Sequence, residues 1–260
     1  MAVITNIFDQ YANAGTALHD AIKTLRTNIG FSSMDKELKT IVVTSVVPHD
    51  GKSTLTIFLG MAMAESGQRT LLVECDCRKP KLQNYLKIRP TFSLMDVLSK
   101  RVEPREAIVP TNLSRLSLLS SMVLANPVEI LGSNRFQSVM DGLKSDYDII
   151  LFDTPPLGSF IEAALLASKA DGTILVLQSG STDVTAAQAV VAQLEKAKAR
   201  VLGVVLNGVE ATSDDYYYAD YYYGDKSKRK KKPAKAKSPV QNKPARSASV
   251  SAPAPSGTAR

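Results

Sequence analysis

Apolar and polar positions in the first 210 residues follow two alternating periodicities. Short apolar runs, most of them containing β-branched residues, lie at 41–47, 68–74, 116–119, 149–152, 172–177 and 201–206. Between most of them lie segments that are expected to be helical, among them 17–29, 55–64, 104–109, 133–143, 161–169 and 183–197. Strands that alternate with helices predict an α/β fold, in which helices cover both faces of a parallel sheet.

The first of these helical segments, 17–29, carries an apolar stripe and a charged face. The stripe consists of Leu18, Ile22, Leu25 and Ile29. On another face Asp20, Lys23 and Arg26 follow one another at three-residue spacing. This face is interpreted either as a solvated surface or as a contact surface for another subunit. Residues 1–15 before the helix are expected to form a flexible arm.

The first β-branched run leads into a loop that ends in Gly51-Lys52-Ser53-Thr54, and a helical segment follows at once. A strand, a loop and a helix in this order surround a polyphosphate with backbone N–H groups and a helix N-terminus. In such a loop Lys52 reaches the β- and γ-phosphates, and the Ser53 hydroxyl ligates Mg²⁺. Val46 stands where the usual phosphate-loop pattern has its first glycine, so the motif is incomplete.

Acidic residues follow two further strands. The second strand ends in Glu74-Cys75-Asp76-Cys77-Arg78, and Asp153 ends the run at 149–152. Along an extended chain Glu74, Asp76 and Arg78 would point the same way. Because ligands bind beyond the carboxyl ends of strands in open α/β sheets, we expect the carboxylates beside the phosphates held by Lys52. There they can hold Mg²⁺ and accept a proton from a nucleophile.

The positive charge of the chain is concentrated at its C-terminal end. The 260 residues carry a net charge of +7, but residues 225–260 alone carry +10, which leaves −3 for the rest. We divide the chain into an arm (1–15), a phosphate-loop domain (16–210), a tyrosine cluster (211–224) and a basic disordered tail (225–260). No apolar run approaches the ~20 residues that span a bilayer, and two cysteines cannot form a four-ligand zinc site.

Six of the nine tyrosines lie within eight residues, directly before the basic tail. They are Tyr216, Tyr217, Tyr218, Tyr221, Tyr222 and Tyr223. The cluster has no periodic apolar partners, which favours a disordered extension over a buried strand. The eight positive charges between residues 226 and 237 leave three interpretations open: contact with an anionic membrane that tyrosine phosphorylation reverses, nucleic-acid binding, or a solubilising tail. We expect no nucleic-acid partner.

Together these motifs resemble those of the bacterial tyrosine kinases, cytoplasmic P-loop autokinases that regulate capsule and exopolysaccharide synthesis. The resemblance covers about residues 15–224. It rests on Leu25-Arg26-Thr27-Asn28-Ile29, the phosphate loop 48–54, residues 74–80 as the Walker A′ motif, Asn126-Pro127-Val128-Glu129, Asp153-Thr154-Pro155-Pro156 as the Walker B motif, Leu206-Asn207 and the tyrosine cluster. It implies a P-loop NTPase-like sheet flanked by helices.

The resemblance also implies roles for individual residues, with ATP and Mg²⁺ as cofactors. The nucleotide contacts would come from Asp50, Gly51, Lys52, Ser53, Thr54, Arg78 and Asn207, and the Mg²⁺ ligands from Ser53, Asp76 and Asp153. The catalytic residues would be Lys52, Glu74, Asp76 and Asp153, with Glu74 and Asp76 sharing the role of base. The six clustered tyrosines would be acceptors, phosphorylated in trans, and Asp20, Lys23 and Arg26 would contact the next subunit of a homo-oligomeric ring.

The activity implied is that of a non-specific protein-tyrosine kinase that regulates the synthesis and export of a polysaccharide. A transmembrane chain-length regulator, the polysaccharide co-polymerase, is implied as the activating partner. The expected location is the cytoplasm, at the inner face of the plasma membrane.

The sequence departs from the family pattern at three places. His49 replaces a glycine of the phosphate loop where a positive φ is expected, which costs a residue with a side chain roughly 1–2 kcal/mol. Glu74 replaces the first Walker A′ aspartate, and Asp20, Lys23 and Arg26 replace the usual Glu-x-x-Arg-x-x-Arg contact pattern.

The first two departures motivate an alternative function, a catalytically weak ATP-binding switch that regulates the membrane co-polymerase. A septum-placement or plasmid-partition ATPase is disfavoured, because those proteins carry an additional lysine early in the phosphate loop and this chain has Val46, Val47 and Pro48 there.

Overall fold

The structure, a computed structural model, describes residues 7–32 and 37–209. The strands are β1 (Thr40–Ser45), β2 (Thr70–Glu74), β3 (Ile108–Pro110), β4 (Leu116–Leu119), β5 (Ile149–Asp153), β6 (Gly172–Gln178) and β7 (Val201–Asn207). The helices are α1 (Ile7–Ala12), α2 (Thr16–Ser32), α3 (Lys52–Glu65), α4 (Leu82–Tyr85), α5 (Leu94–Leu98), α6 (Pro104–Ala107), α7 (Pro127–Gly132), α8 (Asn134–Leu143), α9 (Glu162–Ala167) and α10 (Val184–Lys196).

The strands form one sheet in the order β3-β4-β2-β5-β1-β6-β7. All neighbours pair in parallel except β3, which runs antiparallel to β4 at the edge. The parallel α/β fold predicted from the alternating pattern is confirmed. The sheet order brings the carboxyl ends of β2, β5 and β1 next to one another, which is the place where the sequence predicts the site.

Two apolar clusters cover the two faces of the sheet. Adjacent residues of β1 alternate between them, with Val42 on one face and Ile41 and Val43 on the other. The cluster around Val42 also contains buried side chains of α5, α8, α9 and α10, and the other cluster contains side chains of α1, α2, α3 and α4. The central strands are therefore buried on both faces, as their unbroken apolar runs predict.

Helix α3, which follows the phosphate loop, is buried on nearly all sides. Ten consecutive residues from Leu55 to Ala64 are buried, because the sheet covers one side of the helix and α2 packs against another. Gly60 permits the close approach to β2, since a Cβ atom there would lie 2.7 Å from Leu72 Cδ2. The loop at the start of α3 is thereby fixed to a rigid element.

Three expectations at the edges of the fold are wrong. Residues 7–12 of the supposed flexible arm form α1, because Ile7 and Tyr11 find buried positions on the α2–α3 layer. Leu18 of the predicted apolar stripe is exposed, whereas Ile22 and Ile29 are buried. The segment 104–109, expected to be helical, ends its helix at Ala107 and continues as the edge strand β3.

The tyrosine cluster and the basic tail lie outside the described residues. None of the helices in the described part of the chain combines the length and apolar character that crossing a bilayer requires.

Candidate active site

The candidate site lies at the carboxyl ends of three neighbouring strands. Asp153 closes β5 and pairs with Val43 of β1 on one side and Glu74 of β2 on the other. The phosphate loop leaves β1 after Ser45 and enters α3 at Lys52. The structure therefore brings the loop and the ends of β2 and β5 to one edge of the sheet.

The Asp50 side chain stabilises the phosphate loop by hydrogen bonds to the backbone of the loop itself. The side chain is buried, and Oδ2 accepts hydrogen bonds from the N–H groups of Val46 (3.1 Å) and Val47 (3.0 Å). Oδ1 accepts a hydrogen bond from the Thr182 hydroxyl at 2.9 Å. Because the carboxylate is occupied by the loop itself, Asp50 would serve a nucleotide through its backbone and through the shape of the loop. The contribution of Thr182 was not foreseen from the sequence.

Asn207 supports the loop from the end of β7. Its Nδ2 donates to the carbonyl oxygen of Asp50 (3.0 Å) and to Gln178 Oε1 (3.2 Å). Gly51 adopts φ 95°, and a Cβ atom at that position would collide with the Asn207 amide. The close approach of Asn207 therefore requires glycine at position 51.

His49 has a φ of 74°, in the left-handed region. The expectation that this position needs a positive φ is confirmed. A residue with a Cβ atom is strained there by roughly 1–2 kcal/mol. The chain thus retains the loop conformation at a cost that glycine would avoid.

Lys52, Ser53 and Asp76 form the polar centre of the site. Lys52 Nζ lies 3.3 Å from Asp76 Oδ2 and 3.4 Å from Ser53 Oγ, and the side chains of Lys52 and Asp76 are only 11% and 10% exposed. Asp76 Oδ1 accepts a hydrogen bond from the N–H of Lys79 (3.1 Å). Ser53 and the half-buried Thr54 lie in the first turn of α3, where the backbone N–H groups of a helix favour an anion.

Asp153 is a buried carboxylate, and neither of its oxygens has a hydrogen-bond partner among the described residues. Burial raises its pKa to about 6, although the nearby Lys52 ammonium and Ser53 hydroxyl lower it. A buried acid beside a serine hydroxyl fits Mg²⁺, which would satisfy the oxygens directly or through its waters. No group of three or more His, Cys, Asp or Glu side chains in the described ranges could hold a metal ion alone. Mg²⁺ at phosphate sites commonly uses one or two carboxylates plus the phosphates, so Ser53 and Asp153 are sufficient.

Glu74 faces the start of α4 and not Lys52. Its Oε1 accepts hydrogen bonds from the N–H groups of Lys81 and Leu82, the second at 2.8 Å. Burial raises the pKa of Glu74 to about 7; these N–H groups oppose the shift, and the charge of Asp153 adds to it. The expectation that Glu74, Asp76 and Arg78 point the same way is wrong: Glu74 accepts from the start of α4, Asp76 contacts Lys52, and Arg78 lies in a turn at Cys77 and Arg78 and contacts Glu162.

Arg78 contacts a residue that sequence reasoning missed. Its Nε donates a hydrogen bond to Glu162 Oε1 at 2.8 Å, Nη2 forms an ion pair with the same oxygen at 2.8 Å, and its guanidinium lies 4.3 Å from the centre of the Phe160 ring. Glu162 is only 1% exposed. In the sequence it is one acid in the first turn of a helix, a common feature that gives no sign of a partner 84 residues away.

The expected subunit-contact residues differ in their surroundings. Asp20 and Lys23 are exposed on α2. Arg26 is half-buried, and its Nη1 donates to the carbonyl oxygen of Ala62 on α3 at 2.9 Å. At least one donor of Arg26 is therefore used within the chain. The six expected acceptor tyrosines lie outside the described residues.

We expect the fold to lose stability as the pH rises from about 4.5 to about 7, because Glu74 binds its proton more tightly in the folded state. Glu74 stabilises the fold fully below pH 4.5, and this contribution disappears as the pH passes 7. Glu74→Gln retains the acceptor oxygen for α4. Between pH 4.5 and 8 the free energy of unfolding should fall in both the variant and the unmodified chain. The fall in the variant should be smaller by on the order of 2–3 kcal/mol.

Urea unfolding at the two pH values measures this difference. Exposed Glu195→Gln is the matched control, and it should leave the pH dependence of the unmodified chain in place. Equal pH dependence in Glu74→Gln and the control would contradict the assignment.

Comparisons with known proteins show which family the sequence and the fold resemble. The family model described as an AAA domain matches residues 38–205. The tyrosine-protein kinase YwqD of Bacillus subtilis is 33% identical over 196 residues, which are 75% of this chain and 83% of that protein. The tyrosine-protein kinase CpsD of Streptococcus agalactiae is 33% identical over 215 residues, 81% of this chain and 93% of its own length. The crystal structure of the chimerical protein CapA2B2 superposes with a TM-score of 0.74 and 27% identity, covering 78% of this chain and 89% of that one.

Proposed function

The chain belongs to the family of bacterial tyrosine-protein kinases, and we propose that it transfers the γ-phosphoryl group of ATP, in trans, to the tyrosine cluster of another copy. The observation that carries the proposal is the contact of Lys52 with both Ser53 and Asp76, directly beside the buried carboxylate of Asp153. A positive charge, a hydroxyl and two acids meet at the start of a helix. Phosphoryl transfer needs mainly this kind of positioning and charge neutralisation.

The proposed roles follow from these contacts. Bound Mg²⁺–ATP supplies the phosphoryl group, and the N–H groups of the loop and of the first turn of α3 hold its phosphates. Lys52 neutralises charge that develops on the transferred group. Ser53 and Asp153 would hold the Mg²⁺, with Asp76 beside them. Asn207 and Asp50 keep the loop in its binding conformation.

We assign the base to Asp76 and not to Glu74. The tyrosine oxygen bonds to the γ-phosphorus, the bond to the β–γ bridging oxygen breaks, ADP leaves, and the hydroxyl proton passes to the Asp76 carboxylate. Asp76 lies 3.3 Å from Lys52 Nζ, whereas the Glu74 carboxylate accepts from the N–H groups at the start of α4. Glu74 then supports the reaction by fixing the segment that follows Asp76.

The same orientation of Glu74 favours a second candidate, an ATP-binding switch with weak phosphoryl transfer. In this alternative Glu74 has only a structural role, and the strained His49 further restricts the loop. The switch would bind Mg²⁺–ATP and act on its membrane partner without forming phosphotyrosine. Formation of phosphotyrosine therefore separates the two candidates.

The biological setting that we propose is regulation of capsular or exopolysaccharide synthesis and export. A transmembrane chain-length regulator would activate the kinase at the inner face of the plasma membrane. In a homo-oligomeric ring, exposed Asp20 and Lys23 of α2 would face the next subunit. The basic run after residue 225 would add contact with anionic lipids until the tyrosines are phosphorylated.

Incubation of the full chain with Mg²⁺ and ATP, with the cytoplasmic segment of the membrane regulator present, tests the proposal. We expect phosphotyrosine that rises with time and disappears in the variant with all six clustered tyrosines changed to Phe. The six-Phe variant leaves the candidate site unchanged and should still hydrolyse ATP. Absence of phosphotyrosine from the unmodified chain, with ATP bound, would favour the switch.

A further inference from the structure

Exposed apolar side chains lie in two loops that contact the loop carrying Asp76 and Arg78. Met122 and Val123, in the loop from β4 to α7, are 51% and 66% exposed. Ile161, at the start of α9, is 58% exposed. Arg78 lies among these loops with its side chain 38% exposed. We call Arg78, Met122, Val123 and Ile161 the acceptor surface.

Direct contacts join the loops that carry this surface. The N–H of Leu124 donates to the carbonyl oxygen of Cys77 at 2.9 Å, and the Ser121 hydroxyl contacts Cys77 Sγ at 3.1 Å. These contacts fix the loop after β4 against the loop after β2. Arg78 then joins the loop after β2 to the segment after β5 through Glu162 and Phe160. The acceptor surface therefore lies on loops that are fixed to one another at the carboxyl ends of β2, β4 and β5.

Buried Glu162 fixes the direction of the Arg78 guanidinium. Its Nε donates a hydrogen bond to one carboxylate oxygen, Nη2 lies 2.8 Å from the same oxygen in an ion pair, and the Phe160 ring lies against the guanidinium face. A guanidinium held in this way loses little further freedom when it binds an acidic group. Arg78 is thus prepared to bind a carboxylate from outside.

The acceptor surface lies on the same side of the phosphate loop as Asp76, the proposed base. Asn207, Gln178 and Thr182, from the β6–β7 side of the sheet, support the loop on one side. Lys52 Nζ contacts Asp76, on the β2 side. The loops after β2, β4 and β5 are neighbours on that side, because those strands are adjacent in the sheet.

We propose that the acceptor surface binds the segment 214–223 of a second copy of this chain and thereby selects acidic, tyrosine-rich substrates. The segment reads Asp-Asp-Tyr-Tyr-Tyr-Ala-Asp-Tyr-Tyr-Tyr. Its tyrosine rings match the apolar side chains of the surface, and its three aspartates match Arg78. This inference rests on the proposed function and names what selects its substrate.

Charge distinguishes this surface from the other apolar depression near the site. A groove between α10 and β7 is lined by Val184, Val191, Val204 and Leu206, together with Glu195 and no basic residue. Its single charge is negative and would repel the aspartates of the segment. The groove therefore supplies matched control positions.

Transfer between two full-length chains tests the proposal. The acceptor is tagged Lys52→Ala chain, and the donor is the six-Phe chain at a concentration far below that of the acceptor. We expect Met122→Ser/Val123→Ser/Ile161→Ser in the donor to raise the half-saturating acceptor concentration at least tenfold. ATP hydrolysis without acceptor should stay unchanged, because none of the three residues belongs to the phosphate loop or to the Lys52, Ser53 and Asp76 centre. Val184→Ser/Val204→Ser in the donor should change neither quantity.

A double-mutant cycle tests the role of Arg78. Asp214→Asn/Asp215→Asn/Asp220→Asn in the acceptor should raise its half-saturating concentration about fivefold with the unmodified donor surface. With an Arg78→Gln donor the same acceptor change should have no further effect. If Arg78 only stabilised its loop, the acceptor change would cost the same with both donors, and this part of the proposal would be overturned.

The failures of the two proposals are distinguishable. Efficient transfer with equal half-saturating concentrations for the triple-Ser donor and the control donor overturns the acceptor surface and leaves the kinase activity standing. If the triple-Ser donor loses ATP hydrolysis, the single variant Val123→Ser, at the most exposed position, takes its place. Its half-saturating acceptor concentration is then compared with that of the control donor. No transfer from the unmodified donor surface, with the regulator segment present and ATP hydrolysis intact, overturns both proposals.

Discussion

Lys52→Ala is expected to reduce the rate of phosphotyrosine formation by at least 10²–10³-fold, the usual effect of removing one preorganised group that stabilises transition-state charge. The ammonium lies at the centre of the site, 3.3 Å from Asp76 and 3.4 Å from Ser53. The methyl group of alanine reaches neither side chain. The rate is measured as incorporation of labelled phosphate into the full chain.

Lys196→Ala is the charge-matched control for this prediction. Lys196 is an exposed residue in the last turn of α10, outside the candidate site. Its variant should keep the rate of the unmodified chain. Because Lys52 and Asp76 form a largely buried pair, unfolding of Lys52→Ala must also be measured, to show that the variant is folded at the assay temperature. A folded Lys52→Ala chain that retains a tenth or more of the rate would contradict the role given to Lys52.

Asp153→Asn is expected to lower activity and raise stability at the same time. The Asp153 carboxylate is buried without a hydrogen-bond partner among the described residues, and burial raises its pKa to about 6. Above that pH its charge destabilises the fold. Removal of the charge should increase the free energy of unfolding at pH 8 by on the order of 1–2 kcal/mol, and the gain should vanish below about pH 4.

The same substitution should lower the rate of phosphoryl transfer by at least ~10²-fold and weaken its dependence on Mg²⁺, since a neutral amide is a poorer ligand for this ion. Rate measurements over a range of Mg²⁺ concentrations, together with urea unfolding at pH 4 and pH 8, test both halves. Asp148→Asn is a suitable control, because Asp148 pairs with Arg69 at the surface outside the site. An Asp153→Asn chain that is less stable at pH 8, or fully active, would contradict the role of the buried carboxylate.

The phosphate loop and Asp153 were predictable because their signals are local. Lys52 and Ser53 belong to a motif at the end of a loop between a strand and a helix, and Asp153 ends a run of apolar residues that begins at Ile149. Sheet geometry then places strand ends together without any knowledge of side-chain contacts. The positive φ of His49 was predictable for the same reason, since it follows from a glycine position in a known loop.

The direction of Glu74 could not be read from the sequence. The assumption of an extended chain through Arg78 fails because β2 ends at Glu74, and the following turn brings the N–H groups of Lys81 and Leu82 to its carboxylate. The Arg78–Glu162 pair and the Thr182–Asp50 contact join residues more than 80 positions apart. No local pattern records such pairs, and they depend on tertiary packing.

Helix α1 illustrates the same limit outside the site. It has only six residues, too few for a clear periodicity. The Tyr11 ring lies 4.5 Å from the His19 ring of α2 and 5.2 Å from the Phe58 ring of α3, and it meets both only when these two helices are packed together. A six-residue segment of this kind is stabilised by the surface that it covers.

The most direct test of the central claim is mass-spectrometric mapping of phosphate on the full chain after incubation with Mg²⁺, ATP and the regulator segment. The claim is that the ends of β1, β2 and β5 form one site that phosphorylates tyrosines of the same protein. It predicts phosphate on tyrosines between residues 216 and 223, and none at these positions when Lys52→Ala is incubated alone. Phosphate confined to other residues, or an unmodified cluster in a chain that binds and hydrolyses ATP, would contradict it.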